Sequence, residues 1–223
     1  MRDLKDHVKL EHEILSEEDM QAKSQEFFST LNKRRTVRQF SRKAIPQEVL
    51  DNVIRAAGTA PSGANKQPWT FCVVTSPAIK KQIRAKAEKE EYDNYHGRMG
   101  DRWLNDLRDI GTDHIKEFLE EAPALIVVFK RIYEIDKYGG KHNNYYVNES
   151  VGIAVGMLLA AIQNAGLVAV THTPSPMNFL AQVLERPENE RAYLLIPVGF
   201  PHDEAVVPDI TRKALDEIRI NYG

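Results

Sequence analysis

Three arginines lie within five residues in the run Arg34-Arg35-Thr36-Val37-Arg38. A guanidinium presents a planar fork of N–H donors that matches the oxygens of a phosphate. The run therefore predicts a phosphate clamp where a helix ends. Composition alone supports a solvated basic patch about equally well, so the residues by themselves leave both interpretations open.

Two other segments are built from small and hydroxyl side chains. In Ala60-Pro61-Ser62-Gly63-Ala64-Asn65 the small residues would let the backbone approach a flat ligand, although such a pattern is more often an ordinary loop. Thr171-His172-Thr173-Pro174 follows a strand-like run, where its hydroxyls could donate to a cofactor or simply begin a turn. Neither segment alone predicts a binding site.

Several familiar sites are missing from the sequence. No Gly-x-Gly-x-x-Gly follows a strand and no Gly-x-x-x-x-Gly-Lys-Ser/Thr occurs, so the two commonest phosphate-binding loops are absent. The seven histidines form no His-Glu-x-x-His motif, and His7 and His12 are expected to face solvent. A single cysteine cannot build a thiolate zinc site, so we expect no metal. Ser62 lies in no Gly-x-Ser-x-Gly elbow, which argues against a serine hydrolase.

The composition is that of an ordinary globular protein. Its 223 residues are enough for one large domain or two small ones, and 42% of them are hydrophobic. The formal net charge of −2 predicts binding neither to nucleic acid nor to anionic lipid. The N-terminus lacks an apolar signal or anchor segment, and the single Cys72 fits a reducing compartment. We therefore expect a cytoplasmic protein with no membrane contact.

The elements that must position these segments follow from hydrophobic spacing. It predicts helices over about 17–33, 46–58, 77–95, 101–121, 148–165 and 178–184, and strands over 69–74, 125–129, 167–170 and 193–198. The helix over 101–121 is expected to turn its apolar side chains inward, and the one after Asn148 to be buried all round. Residues 130–144 are expected to be a polar loop. Without repeats or linkers, the chain predicts one α+β domain over residues 1–223.

Four stretches together resemble the nitroreductase-fold flavoproteins: RRTVRQF, IPQEVLDNVIRAAGTAPSGANKQPWTF, QNAGLVAVTHTP and LLIPVGFP. The segment EEYDNYHGRMGDRWLNDL, with Lys116 downstream, resembles one branch of them, the iodotyrosine deiodinase family. The resemblance covers nearly the whole chain from about Lys33. It implies a central mixed β-sheet flanked by helices and an obligate homodimer, with residues 200–223 as an arm that wraps the other subunit. Animal members are membrane-anchored, and this chain resembles their soluble, microbial relatives.

The resemblance also implies FMN bound at the subunit interface. The family's cofactor-binding positions fall on Arg34, Arg35, Thr36 and Arg38, on Pro61, Ser62 and Gly63, on Thr171, His172 and Thr173, and on Arg212. Thr173 takes the place of a catalytic hydroxyl that hydrogen-bonds flavin N5 and favours the one-electron-reduced flavin. We expect the ring of His172 to face solvent.

The substrate that the resemblance implies is a halotyrosine, a zwitterion with an acidic phenol. Glu91, Tyr95 and Lys116 would bind its amino-acid end, and the backbone N–H of Ala64 its phenolate. Glu91 and Tyr95 are four residues apart and share one helical face, with Lys116 expected on the next helix. Residues 77–121 would form a helical lid that closes over the substrate. Without the resemblance, these charges would be interpreted as solvated surface, and Glu90 is an alternative to Glu91.

These features favour FMN-dependent reductive dehalogenation of halotyrosines in one-electron steps. The electrons would reach the flavin from NAD(P)H or from a reductase protein. One alternative is a general NAD(P)H-dependent nitroreductase or quinone reductase on the same fold. Another is a non-catalytic flavin-dependent protein that binds an amino acid.

Overall fold

The structure, a computed structural model, describes residues 7–223. The chain divides into an N-terminal unit that ends at Arg34 and a main unit, Arg35–Gly223. The first six residues, which carry part of the N-terminus expected to lack an anchor, lie outside the described residues. Within residues 7–223, no helix combines the length and apolar character needed to span a bilayer.

The described part of the N-terminal unit consists of an extended stretch followed by helix α1 (Glu17–Asn32). The hydroxyl of Ser16 caps this helix as expected, because it accepts a hydrogen bond from the backbone N–H of Asp19 at 3.1 Å. The expected apolar residues Met20, Phe27 and Phe28 lie on α1 with more than half of their surface exposed.

The main unit confirms the α+β class. Its helices are α2 (Gln47–Gly58), α3 (Pro77–Asp93), α4 (Asp101–Arg108), α5 (Phe118–Glu121), α6 (Val147–Asn164), α7 (Asn178–Val183) and α8 (Leu215–Ile218). Its strands are β1 (Trp69–Val74), β2 (Ala124–Arg131), β3 (Tyr133–Ile135), β4 (Lys141–Asn143), β5 (Val168–Ala169) and β6 (Glu190–Gly199).

Four of these strands form the central sheet, in the order β1-β2-β6-β5. All three strand pairs are antiparallel, and the parallel component of the expected mixed sheet is a single bridge between Thr36 and Ala169. As predicted from its wholly apolar sequence, residues 125–129 of β2 are fully buried between two strands.

Helices cover both faces of this sheet, so there are two hydrophobic clusters. Because side chains alternate along a strand, Leu125, Val127 and Phe129 of β2 point to one face, while Ile126 and Val128 point to the other. The first face, here called the α3 face, carries α3, α5 and α7. The second, the α6 face, carries α2 and α6. The two faces position different parts of the candidate site.

The prediction of one continuous helix over residues 101–121 is wrong. Helix α4 ends at Arg108, Gly111 adopts a left-handed φ of 60°, and helix resumes only at Phe118. Glycine takes this conformation at little cost, which allows the chain to turn there. Of the apolar residues expected to point inward, Phe118 is buried, whereas Trp103 and Ile115 are exposed. Residues 109–117 are therefore a connecting segment.

Residues 130–144 form a β-hairpin, which corrects the expected polar loop. Strands β3 and β4 pair antiparallel, with Tyr133 opposite Asn143. At the tip, the carboxylate of Asp136 accepts hydrogen bonds from the backbone N–H groups of Tyr138 and Gly140, at 2.8 and 2.9 Å. The polar residues that predicted a loop thus stabilise a turn.

Within one chain, helix α6 is buried on one side, so burial all round stays a prediction for an assembly of two copies. Val151, Leu158 and Ile162 pack on the sheet, but Ile153 is 46% exposed. The C-terminal residues 200–223 contain only the short α8, and six of their large apolar side chains are more than half exposed: Val206, Ile210, Leu215, Ile218, Ile220 and Tyr222.

Candidate active site

A buried ion pair lies at the centre of the candidate site. The ammonium of Lys116 and the carboxylate of Glu91 are 3.6 Å apart, and the two side chains are only 3% and 8% exposed. Glu91 comes from the last turn of α3, and Lys116 from the segment that precedes α5. The structure thus brings together two charges that are 25 residues apart in sequence, although Lys116 is not on a helix as expected.

Tyr95 completes this group, as its spacing from Glu91 predicts. Its ring centre is 5.6 Å from the Lys116 ammonium, a cation–π distance. Its hydroxyl donates to the backbone carbonyl of Thr112 at 3.0 Å. The Lys116 ammonium in turn donates to the Thr112 hydroxyl at 3.1 Å and to the Asp113 carbonyl. Thr112 therefore fixes both Tyr95 and Lys116.

Burial is the main influence on the protonation of this pair. It raises the pKa of Glu91 and lowers the pKa of Lys116, and in each case the opposite charge of the partner counteracts the shift only in part. The loss of hydration therefore outweighs the attraction between the two groups. A ligand that brings a cation to Glu91 and an anion to Lys116 would supply the missing compensation.

The geometry also distinguishes the neighbouring glutamates. The carboxylate of Glu90 forms an ion pair at 2.7 Å with Arg98, whose side chain is 48% exposed. Glu88 accepts hydrogen bonds from the backbone N–H of Lys116 at 2.8 Å and from Arg84 at 2.7 Å. Of the three, only Glu91 faces the Lys116 ammonium, which favours it over Glu90 as the ligand-binding residue.

Aromatic rings hold the Lys116 segment against the end of α3. That helix continues into a single π-helical stretch at Asn94–Arg98. The rings of Tyr92 and His96 stack with centroids 4.0 Å apart, and the ring of His114 packs edge-on against Tyr92 at 5.5 Å. Tyr92 is half exposed, and His114 lies two residues before Lys116 in the sequence.

The basic segment 35–38 runs beside this group. Thr36 bridges to β5, and the Arg35 guanidinium donates to the carbonyl of Pro208. Arg38 is half-buried, and burial lowers its pKa. Within residues 7–223 no carboxylate forms an ion pair with Arg38. It lines two cavities of about 530 and 480 Å³, the first shared with Thr112 and Phe118.

The Thr171–Thr173 segment follows β5 at the edge of the central sheet, where His172 bridges to Leu195 of β6 and points its ring to the α3 face. Both threonines are exposed, but His172 is buried, so the expectation that its ring faces solvent is wrong. Its ring packs edge-on against Phe118 at 5.7 Å, and its Nε2 atom has no hydrogen-bond partner within residues 7–223. Burial, followed by the charges of Lys116 and Arg38, lowers the pKa of His172 to about 3.

The Pro61–Ala64 loop lies elsewhere, on the α6 face. The backbone N–H of Gly63 donates to the hydroxyl of Ser150 on α6 at 3.3 Å. Gly63 is also close to Tyr145 and Tyr146, since a Cβ there would come within 3.0 Å of both. Ala64 follows in the left-handed conformation, with φ of 49°. One chain therefore does not bring this loop to Glu91 and Lys116, from which the sheet separates it.

Two further expected cofactor-binding residues are Arg34 and Arg212. Arg34 is the last residue of the N-terminal unit, and Arg212 lies in the exposed tail. The expectations for both as cofactor-binding residues stay predictions.

Sequence reasoning missed Thr112 and Glu88. Both lie in stretches predicted as uninterrupted helices, where a threonine or a glutamate on the surface gives no indication of a functional role. Gly111, in the middle of the predicted helix, could have indicated a break before Thr112, because an interior glycine commonly marks a turn.

Residues 31–200 match the nitroreductase family. The chain is 58% identical to the iodotyrosine deiodinase of Haliscomenobacter hydrossis over 205 residues, which are 92% of each chain. It is 50% identical to iodotyrosine deiodinase 1 of Homo sapiens over 216 residues, 96% of this chain and 75% of the human one. The chain belongs to the nitroreductase family and, within it, to the iodotyrosine deiodinases.

Solved structures agree with this family assignment. A crystal structure of oxidized iodotyrosine deiodinase bound to FMN and 3-iodo-L-tyrosine superposes with a TM-score of 0.75 at 33% identity, covering 88% of this chain and 98% of that one. A BluB-like flavoprotein from Clostridium difficile shares the fold, with a TM-score of 0.66 at 21% identity, over 87% of this chain and 98% of that one. The family and fold expected from the sequence of this iodotyrosine deiodinase family member are thus confirmed.

The stability of the protein should depend on pH through His172. Its pKa falls from an ordinary value of 6.5 to about 3 on folding. Between these values the unfolded chain binds a proton that the folded chain does not. The free energy of unfolding should therefore decrease below about pH 6.5, by about 1.4 kcal/mol per pH unit from this residue.

Urea unfolding of wild type and His172→Gln across this pH range measures the effect. We expect a shallower pH dependence in the variant, while His12→Gln, at an exposed position, keeps the wild-type dependence. Equal pH dependence in wild type and His172→Gln would contradict the prediction.

Proposed function

We propose that this chain is an FMN-dependent oxidoreductase that reductively dehalogenates halotyrosines, with iodotyrosine converted to tyrosine and iodide. The observation that carries the proposal is the buried and incompletely compensated pair of Glu91 and Lys116. The structurally similar iodotyrosine deiodinase is bound to FMN and 3-iodo-L-tyrosine, which is the ligand chemistry that such a pair requires.

The two charges match the amino-acid end of the substrate. The substrate ammonium would pair with Glu91, and its carboxylate with Lys116. The hydroxyl of Tyr95 donates to the carbonyl of Thr112 and would exchange this bond for one to the substrate carboxylate. In this dry environment each charged hydrogen bond is stronger than in water. The site therefore selects free amino acids over simple phenols, and residues 77–121 act as the lid.

The residues present fit FMN. Arg38 is a half-buried guanidinium that forms no ion pair with a carboxylate of residues 7–223, so an anionic phosphate would compensate it. Arg35 and Thr36 lie on the same segment, and the family resemblance proposes Arg34 and Arg212 as further cofactor-binding residues. The exposed hydroxyls of Thr171 and Thr173, on either side of buried His172, are free to bind the ring system.

Bound and reduced FMN would supply two electrons, which together with one proton would replace the C–I bond by a C–H bond and release iodide. The chain's own residues orient the substrate and exclude water. The Thr173 hydroxyl would donate to flavin N5, and the Ala64 backbone N–H would hold the phenolate so that the substrate ring lies over the flavin.

The position of the Pro61–Ala64 loop supports a homodimer. Since this loop packs on α6, whereas Glu91 and Lys116 lie beside α3 and α5 on the other face of the sheet, a second copy would have to supply one of the two groups. The exposed apolar side chains of residues 200–223 and Ile153 of α6 provide surface for that copy, and residues 200–223 would wrap it.

The electron donor would be separate from this chain. The sequence carries no dinucleotide-binding Gly-x-Gly-x-x-Gly motif, so NAD(P)H would bind only transiently, or a reductase protein would deliver the electrons. A cytoplasmic location stays a prediction based on the single cysteine.

Anaerobic mixing tests the reaction directly. We expect dithionite-reduced holoprotein to be reoxidised by 3-iodotyrosine, with tyrosine and iodide formed in equal amounts. Tyrosine is the control and should leave the flavin reduced. Normal FMN content without reoxidation would exclude the proposed reaction, and rapid direct reduction by NADPH would favour a general nitroreductase instead.

The ion pair can be tested by substitution. Lys116→Gln should weaken 3-iodotyrosine binding by about tenfold to a hundredfold, because a charged hydrogen bond contributes about 1.5–3 kcal/mol. FMN content should not change, since Lys116 is assigned to the substrate. Glu90→Gln is the matched control, because its exposed partner is Arg98. Equal affinities of Lys116→Gln and wild type, measured by titration, would contradict the assignment.

Mixed dimers test whether two copies share each site. One variant would carry Lys116→Gln and the other Ala64→Pro, which removes the proposed phenolate donor and also displaces the loop, because proline cannot adopt the φ of 49° found at Ala64. If each site combines segments of both copies, a mixed dimer contains one site with both defects and one intact site. At low 3-iodotyrosine, where both variants are impaired, we expect dehalogenation to rise towards the wild-type rate on mixing them. Sites formed within single chains would leave the mixture as impaired as the separate variants.

A further inference from the structure

One side chain of the lid reaches directly to the segment assigned to the flavin. The amide nitrogen of Asn94, Nδ2, donates a hydrogen bond to the backbone carbonyl of Ser175 at 2.9 Å. Asn94 is only 7% exposed, although it lies among polar lid residues. Leaving a buried amide unpaired costs about 1–3 kcal/mol, so this bond strongly favours the arrangement in which it forms.

The position of Asn94 on its helix links it to the substrate-binding residues. Asn94 and Tyr95 follow Glu91 by three and four residues, at the junction of α3 and the π-helical stretch. Residues at these spacings point to one side of a helix. The same side of α3 therefore presents Glu91 and Tyr95 to Lys116 and presents Asn94 to Ser175.

The segment that receives the bond is held from its other side by the sheet. The backbone N–H of His172 donates to the carbonyl of Leu195 at 2.8 Å, and the N–H of Leu195 returns a bond to the His172 carbonyl at 3.0 Å. Thr173, with its exposed hydroxyl, lies between this anchor and Ser175. Within residues 7–223, no other hydrogen bond joins residues 77–121 to residues 171–176.

We propose that Asn94 is a positioning residue that couples lid closure to the placement of the Thr173 hydroxyl. When the lid closes on a halotyrosine, Asn94 reaches the Ser175 carbonyl and fixes the backbone on which Thr173 lies. When the lid opens, this bond is lost and the segment keeps only its anchor on β6. The inference rests on the proposed function, since it requires FMN at Thr173 and the amino acid at Glu91 and Lys116.

Coupling of this kind is reciprocal and can be measured. If closure fixes the flavin-binding segment, a bound halotyrosine must strengthen FMN binding by the same factor by which FMN strengthens halotyrosine binding. Asn94 contacts neither ligand in this arrangement. Its removal should therefore reduce the coupling and leave FMN binding without substrate unchanged, which a residue with a merely structural role would not do.

The experiment measures the rate of FMN release from diluted holoprotein with and without saturating 3-iodotyrosine. In wild type we expect 3-iodotyrosine to slow release by about tenfold, a typical coupling between two sites. In Asn94→Ala we expect the slowing to be smaller by about threefold or more, because only the direct contact of the substrate ring with the flavin remains, and we expect an unchanged rate without 3-iodotyrosine. Asn94→Asp keeps the shape of the side chain but lacks the N–H donor, so it should reduce the effect of 3-iodotyrosine in the same way as Asn94→Ala. It replaces Asn94→Ala if that variant folds poorly. Asn105→Ala on α4 is the matched control.

Hydrogen exchange gives a second readout at the segment itself. In wild type, 3-iodotyrosine should slow exchange of the amides of residues 77–121 and of residues 171–177. In Asn94→Ala it should slow exchange only within residues 77–121. Wild-type coupling in both Asn94 variants would overturn the inference and leave the proposed function intact. Absence of coupling in wild type that binds both ligands would also overturn it. A wild-type protein that retains no FMN or binds no 3-iodotyrosine would instead refute the proposed function.

Discussion

The arrangement of the site depends on one electrostatic constraint, the cost of burying the charges of Glu91 and Lys116. Each side chain has lost most of its hydration, and the other, 3.6 Å away, compensates only part of that loss. The surrounding structure reduces the remainder with dipoles. The Thr112 hydroxyl and the Asp113 carbonyl both accept hydrogen bonds from the Lys116 ammonium. A pocket of this kind is selective because only a ligand with both charges restores what burial removed.

The same constraint explains why the lid is polar and yet well packed. Its outer surface carries ion pairs such as Arg98 with Glu90, while its inner surface carries the buried pair and Tyr95. Ordering it requires contacts with the rest of the main unit, of which the packing of Phe118 on His172 is one. The residues proposed to bind the substrate and the segment proposed to bind the flavin thus share one interface within a single chain, and the Pro61–Ala64 loop lies on the other face of the sheet.

Much of the fold could be predicted from hydrophobic pattern alone. The buried run 125–129 identified the central strand, and the stripe after Pro46 and the cap at Ser16 identified α2 and α1. The pattern failed where polar residues serve tertiary contacts. Residues 109–117 have helix-like spacing, but Gly111 turns the chain so that Lys116 meets Glu91. His172 was expected in solvent because a short sequence does not report that Phe118, over fifty residues earlier, covers it. The proposed substrate-binding role of Glu91, Tyr95 and Lys116 depends on the family resemblance, since their spacing is equally typical of solvent-exposed helices.

The π-helical stretch at Asn94–Arg98 marks the place where the lid stops being one continuous helix. Within it Gly97 departs from helical geometry, and Met99 behind it is extended, so the chain leaves the axis of α3 before α4 begins at Asp101. The orientation of α4 relative to α3 is therefore determined by a few residues at this bend. Changes confined to the bend can alter that orientation while each of the two helices keeps its own internal hydrogen bonds.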